Sequence, residues 1–125
     1  MQPPTSLKRL VLVLDCRDPG ALAHFWSRAL GYRQSDFEEP YLALMPPRPE
    51  FPELLLQRVA EPKEGKNRMH LDLLVDHLEK ERDRLLSLGA AQLSGQMHED
   101  GFNWYIMADP EGNEFCVIRE PDRKQ

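Results

Sequence analysis

The sequence predicts an α+β fold made of two modules with the same order: strand, helix, strand, strand, strand. Three observations carry this. Two helix-like segments each follow a strand-like apolar run, and each stops at a glycine, Gly31 and Gly89. Three more strand-like segments follow each of those glycines. Near the C-terminal end, Asp109-Pro110-Glu111-Gly112-Asn113 reads as a tight turn that launches a last strand. Proline presets φ there, glycine accepts a left-handed backbone, and the aspartate and asparagine bond nearby backbone groups.

In the first module the opening strand runs from Leu7 to Asp15 and the helix from Pro19 to Leu30. Asp18 is the expected N-cap, with Pro19 at the first helical position. Leu22, Phe25, Trp26 and Ala29 fall at helical spacing and form one apolar face. Strands are expected over Tyr32 to Ser35, Tyr41 to Met45 and Glu53 to Val59. The segment from Pro46 to Pro52 carries too many prolines to lie in a central strand and so connects two strands. Module 1 therefore covers about residues 7–60, with a linker over 61–67.

In the second module, about residues 68–120, the opening strand is Met69 to Val75 and the helix Leu78 to Leu88. Asp76 followed by Glu79 reads as a capping box, and Leu78, Leu85 and Leu86 as the apolar stripe. Ala91 to Gly95, Phe102 to Ala108 and Glu114 to Arg119 complete the set. Each half has only about 60 residues and would bury little surface alone, so residues 1–125 are expected to form one domain around a shared interior.

Composition narrows the function. With 125 residues, 41% hydrophobic content and a formal charge of -5, the chain lacks the basic footprint of a nucleic-acid binder. No run approaches the ~20 apolar residues of a membrane span, and the first residues do not read as a signal peptide. A cytoplasmic protein is expected, with no nucleic-acid or membrane partner. Cys16 and Cys116 lie far apart in strand-like runs and belong to no CxxC pair, so they are expected to be buried thiols. The run from Glu79 to Arg84 is the solvated face of the second helix.

The order of elements resembles the vicinal oxygen chelate superfamily, which includes glyoxalase I, extradiol dioxygenases and bleomycin-resistance proteins. Leu14-Asp15-Cys16-Arg17-Asp18-Pro19, Phe25-Trp26 with Leu30-Gly31-Tyr32, Leu56-Gln57-Arg58-Val59, Lys66 to Asp72 and Asp109 to Val117 are similar to the glyoxalase-like domain type. The resemblance covers nearly the whole chain. It implies two βαβββ modules whose paired, curved mixed sheets enclose a cleft, with helices on the outer faces. It also implies a homodimer. Active members hold a divalent metal through four positions, one on the first and one on the last strand of each module.

Those four positions are poorly filled here. His70 stands at the first-strand position of module 2. Met69, Leu71, Leu73 and Val75 alternate as an apolar face, which leaves Arg68, His70 and Asp72 on the other. A general base, a metal ligand and a merely hydrogen-bonded histidine all fit His70. Cys116 occupies the place of the usual glutamate on the last strand, and Glu114 shares its parity two residues earlier. In module 1 the opening strand offers Arg9, Leu10, Val11 and Leu12 and no ligand, while Gln57 on the last strand is a neutral amide. The set His70, Gln57 and Cys116 is incomplete, and a divalent metal cofactor is not favoured.

His70 is the candidate catalytic base. Gln57, Asp72, Trp104, Tyr105 and Glu114 are candidate ligand-binding residues, and Phe37 and Phe51 further candidate aromatic walls. The resemblance implies a glyoxalase-like protein with a small-molecule cleft. Two roles stay open: a lyase, isomerase or dioxygenase-type enzyme with an incomplete metal site, and a metal-independent binding protein of the bleomycin-resistance type.

Overall fold

A computed structural model describes residues 9–67 and 69–122. The chain divides into two compact units, the first ending at Glu61 and the second beginning at Pro62. Each has a strand, a helix and then further strands, in a mixed sheet, so the α+β class stands. Among the described residues no helix is long and apolar enough to cross a membrane.

The first unit contains β1 (Val11–Cys16), α1 (Pro19–Leu30), β2 (Arg33–Gln34), β3 (Tyr41–Met45) and β4 (Glu53–Arg58). Its sheet has the order β1-β4-β3-β2, with β1 and β4 parallel and the other pairs antiparallel. A parallel pair needs a crossover, and α1 supplies it. Asp18 caps α1 by accepting from the Ala21 N–H at 3.1 Å, Pro19 follows it, and Gly31 closes the helix at φ 72°. Left-handed backbone at that point favours glycine. Leu22, Phe25, Trp26 and Ala29 are buried as the spacing predicts, with the Phe25 and Trp26 rings edge to face at 5.1 Å. The proline-rich segment connects β3 to β4. Leu7 and Lys8, the expected start of the first strand, lie outside the described residues.

The second unit contains β5 (Leu71–Leu74), α2 (Leu78–Ser87), β6 (Ala91–Gln92), β7 (Met97–Glu99), β8 (Phe102–Ala108) and β9 (Glu114–Arg119). Its sheet has the order β5-β9-β8-β6, and β7 also pairs with β8. The helix packs on β8 and β9. Tyr105 and Met107 of β8 and Phe115 and Val117 of β9 are buried, and the residues between them point the other way, as strand alternation requires.

Several details depart from the sequence reading. No capping box forms: α2 starts one residue later than Asp76 implies, with His77 at the N-cap and no side-chain cap bond. Leu86 is 38% exposed, so the buried stripe of α2 is Leu78 and Leu85. Met69 precedes β5 and is 75% exposed, outside the apolar face assigned to it. The strand expected over Ala91 to Gly95 ends at Gln92, and β7 was not anticipated. Its signal was present in Asp100-Gly101, a left-handed pair at φ 51° and 85° that joins β7 to β8 as a two-residue hairpin.

The turn before β9 forms as expected. Asp109 is buried, and its carboxylate accepts from the N–H groups of Glu111 and Asn113, both at 2.9 Å. The Asn113 side-chain amide donates to it at 2.9 Å as well. These bonds fix where β9 begins, and with it the direction of Glu114 and Cys116.

Candidate functional site

Strand parity in the second unit builds the site. The face of β8 and β9 opposite the buried one presents Phe102, Trp104 and Ile106 beside Glu114, Cys116 and Ile118. The parallel pairing of β5 with β9 sets Asp72 opposite Cys116, and the antiparallel pairing with β8 sets Ile106 on the other side of Cys116. Met97 of β7 stands opposite Trp104 and extends the apolar surface. The result is a groove of about 630 Å³, lined by second-unit residues. That volume lies in the range of small-molecule sites, ~300–1,000 Å³.

One part of the groove is apolar and aromatic, and the rest is polar. His70 Nδ1 lies 3.0 Å from Asp72 Oδ1, and the two side chains are 45% and 44% exposed. The Cys116 thiol is half-buried beside Asp72. Burial, and next the Asp72 carboxylate, raise its pKa, so the neutral thiol is favoured; Lys66 opposes this. Glu114 accepts from the Asn67 N–H at 3.2 Å, and its carboxylate lies 3.7 Å from Lys66 Nζ and 4.0 Å from Lys63 Nζ. The residues expected to be a mere linker thus supply Lys66 and Asn67 to the groove wall. Asp72, Glu99, Asp100 and Glu114 face a single lining lysine, Lys66, so the groove is acidic.

The sequence-derived candidates separate into two groups. His70, Asp72, Trp104, Glu114 and Cys116 all line this groove. Tyr105 does not. It follows Trp104 directly on β8, and its side chain leaves the sheet on the opposite, buried face. Its ring lies 4.8 Å beneath the Arg82 guanidinium, and its hydroxyl accepts from Arg82 Nη1 at 3.0 Å, next to Glu79 and Gln96. Tyr105 therefore ties α2 to the sheet. Cys116, expected to be a buried hydrophobe, is a groove residue, whereas Cys16 is buried in the first unit.

Gln57 belongs to β4 of the first unit, in register with Asp15 and Tyr41. Phe37 and Phe51, also of the first unit, lie under Arg58 and Arg48, at 5.7 and 4.7 Å. None of the three lines the groove of the second unit. Arg68, expected on the same face as His70, lies outside the described residues. Met97, Phe102, Ile106 and Ile118 were not singled out from the sequence, although the period-2 pattern from Trp104 and Cys116 points to three of them.

A divalent metal of the kind implied by the fold finds donors in only part of the expected pattern. β1 offers no ligand at the first-strand position. In the second unit, one donor atom from each of His70, Asp72 and Cys116 lies within 4.8 Å of the others. Imidazole, carboxylate and thiol together fit a zinc-like ion, which accepts N, O and S ligands, and fit a hard, oxygen-seeking ion poorly.

The fold, together with a family profile over most of the chain, makes the protein a member of the vicinal oxygen chelate superfamily. Within it, the chain belongs to the Glyoxalase-like domain family, whose sequence profile matches residues 11–118. No curated protein sequence matches the chain. Solved structures share the fold at low identity. A glyoxalase/bleomycin resistance protein/dioxygenase family enzyme from Burkholderia phytofirmans PsJN is 15% identical, with a TM-score of 0.73 over 87% of this chain and 95% of that one. A glyoxalase/bleomycin resistance protein/dioxygenase from Nocardioides is 16% identical, with a TM-score of 0.74 over 100% and 89%. A glyoxalase-related enzyme from Fulvimarina pelagi is 16% identical, with a TM-score of 0.70 over 91% and 89%.

Proposed function

We propose that the second unit binds a small molecule with a flat apolar body and a neutral or cationic polar group. The observation that supports this is the division of the groove. Trp104, Phe102, Ile106 and Ile118 offer an aromatic and aliphatic surface, and the His70–Asp72 pair stands at its polar part. The excess of carboxylates over the single lining lysine disfavours an anion, since desolvating like charges against one another is costly. A cation gains further from the faces of Trp104 and Phe102.

A catalytic role finds its support in the His70–Asp72 contact. A carboxylate holding Nδ1 directs Nε2 outward as a proton acceptor, the arrangement a general base needs. In that role His70 would take a proton from a bound carbonyl or diol compound, and Asp72 would orient the ring.

Trp104 reports binding directly. The chain has two tryptophans, and Trp26 is buried in the first unit at 1% exposure. Titrating matched naphthalene dyes bearing an ammonium, a neutral or a sulfonate group should change the fluorescence of Trp104. The cationic dye should bind most tightly and the sulfonate least. Trp104→Phe should abolish the response. Equal binding of all three, or a response that persists in Trp104→Phe, contradicts the proposal.

A further inference from the structure

Backbone register gives the groove an order along its length. Glu114, Cys116 and Ile118 are alternate residues of β9 and share its groove face. Cys116 pairs with Asp72, which contacts His70, and Ile118 pairs with Trp104 of β8. Three stations therefore follow one another: a carboxylate, the His70–Asp72 pair, and the aromatic surface of Trp104 and Phe102. At ~3.3 Å per strand residue, the backbone positions of neighbouring stations are about 7 Å apart and those of the outer two about 13 Å. Glu114 is held in place at its end. Its Oε1 accepts from the Asn67 N–H at 3.2 Å, the Asn67 side-chain amide donates to the Glu114 carbonyl at 3.5 Å, and the Glu114 side chain is only 20% exposed. The cation nearest its Oε2 among the described residues is held far less: Lys66 Nζ stands 3.7 Å away, beyond hydrogen-bond reach, on a side chain that is 77% exposed. Lys63, 4.0 Å from Oε1, donates instead to the Gly65 carbonyl.

We propose that Glu114 is the recognition point for the ammonium group of a bound ligand, and that Lys66 is an internal stand-in which that ammonium displaces. An ion pair with one fully hydrated partner contributes little, so releasing Lys66 to water costs little. The arriving ammonium, brought in along the groove, meets a carboxylate already fixed by the Asn67 N–H and forms the close, charge-assisted hydrogen bond that Lys66 does not make. The spacing then names the ligand class: an aromatic body on Trp104 and Phe102, joined to a protonated amine by a spacer long enough to pass the His70–Asp72 pair. An aromatic amine with a short spacer fills one end of the groove and leaves the other unused. The inference rests on the binding role proposed above and deepens it, because Glu114 selects among cations that the aromatic surface alone would accept alike.

The test uses the full chain and naphthalenes that carry an ammonium on a methylene or a butylene spacer, each matched by its uncharged hydroxyl analogue, with binding read from Trp104 fluorescence. Lengthening the spacer should tighten the ammonium pair about 10-fold more than the hydroxyl pair. Glu114→Gln keeps an acceptor for the Asn67 N–H and should erase that difference. Lys66→Met should tighten binding of the butylene ammonium about 3-fold, and should have no effect when Glu114→Gln is also present. Lys80→Met makes the same change of charge on the exposed face of α2 and should leave every affinity unchanged. Circular dichroism and binding of the hydroxyl analogues establish that each variant is folded. A spacer gain that persists in Glu114→Gln, or an effect of Lys66→Met that Lys80→Met reproduces, overturns the recognition point. Binding of all four compounds with no spacer gain specific to the ammonium pair overturns Glu114 alone, and no Trp104 response to any of them overturns the binding role with it.

Discussion

Replacing Asp109 by alanine should be among the most damaging single changes in the second unit. Asp109 is 3% exposed, and its carboxylate accepts from two backbone N–H groups and one side-chain amide, all at 2.9 Å. Hydrogen bonds to an ionised acceptor contribute about 1.5–3 kcal/mol each, and a buried donor left unpaired costs about 1–3 kcal/mol. The three bonds share one acceptor and one turn, so the losses do not add in full, and a cost of about 3–5 kcal/mol is expected. For a chain of this size that corresponds to a fall in Tm of roughly 10–18 °C. Asp109→Asn keeps a neutral acceptor in the same place and should cost about 1–2 kcal/mol. Urea and thermal unfolding of both variants measure the difference. Amide hydrogen exchange should show the protection lost first along β9, which this turn launches. A loss below ~1 kcal/mol in Asp109→Ala, or equal losses in the two variants, would refute the reasoning.

Two further outcomes follow from groups with shifted pKa values. Burial raises the pKa of both Tyr105 and Tyr32 above the ordinary tyrosine value, with Arg82 opposing the rise at Tyr105. Because the folded pKa is the higher one, the stabilisation is fully present below about pH 10 and is lost as pH rises through the folded value. Urea midpoints should therefore fall above about pH 10, and Tyr105→Phe should make that fall shallower. At Cys116 burial comes first, then the Asp72 carboxylate, in disfavouring the thiolate. Iodoacetamide should label Cys116 more slowly than a free cysteine at pH 8, and Asp72→Asn should speed the labelling. An unchanged rate in Asp72→Asn would remove Asp72 as a cause.

Much of the fold was legible because its signals are local. Asp18-Pro19 starts α1, Gly31 stops it, and the Asp109 turn forms, all through backbone conformations that few other residues provide. Where tertiary packing decides, the reading slipped. The stripe on α2 lost Leu86, and His77 took the N-cap although Asp76 carries the better capping side chain. The hairpin of β7 and β8 was readable in Asp100-Gly101 but was masked by the polar residues Gln96, His98 and Glu99, which obscure a strand by composition. In the site, parity was the reliable guide. It placed His70 and Asp72 on one face, and applied to Trp104 and Tyr105 it would have excluded the latter. The role of Lys66 and Asn67 was not readable, because it depends on a loop folding back onto Glu114.

The most direct measurement of the binding role is chemical-shift mapping of isotope-labelled protein during titration with the cationic naphthalene dye. Shifts should concentrate on the Trp104 indole and on the amides of His70, Asp72, Ile106, Cys116 and Ile118, and saturate together. Shifts centred on β1 and β4 of the first unit, or none at dye concentrations that saturate the fluorescence change, would contradict a ligand site on the second sheet.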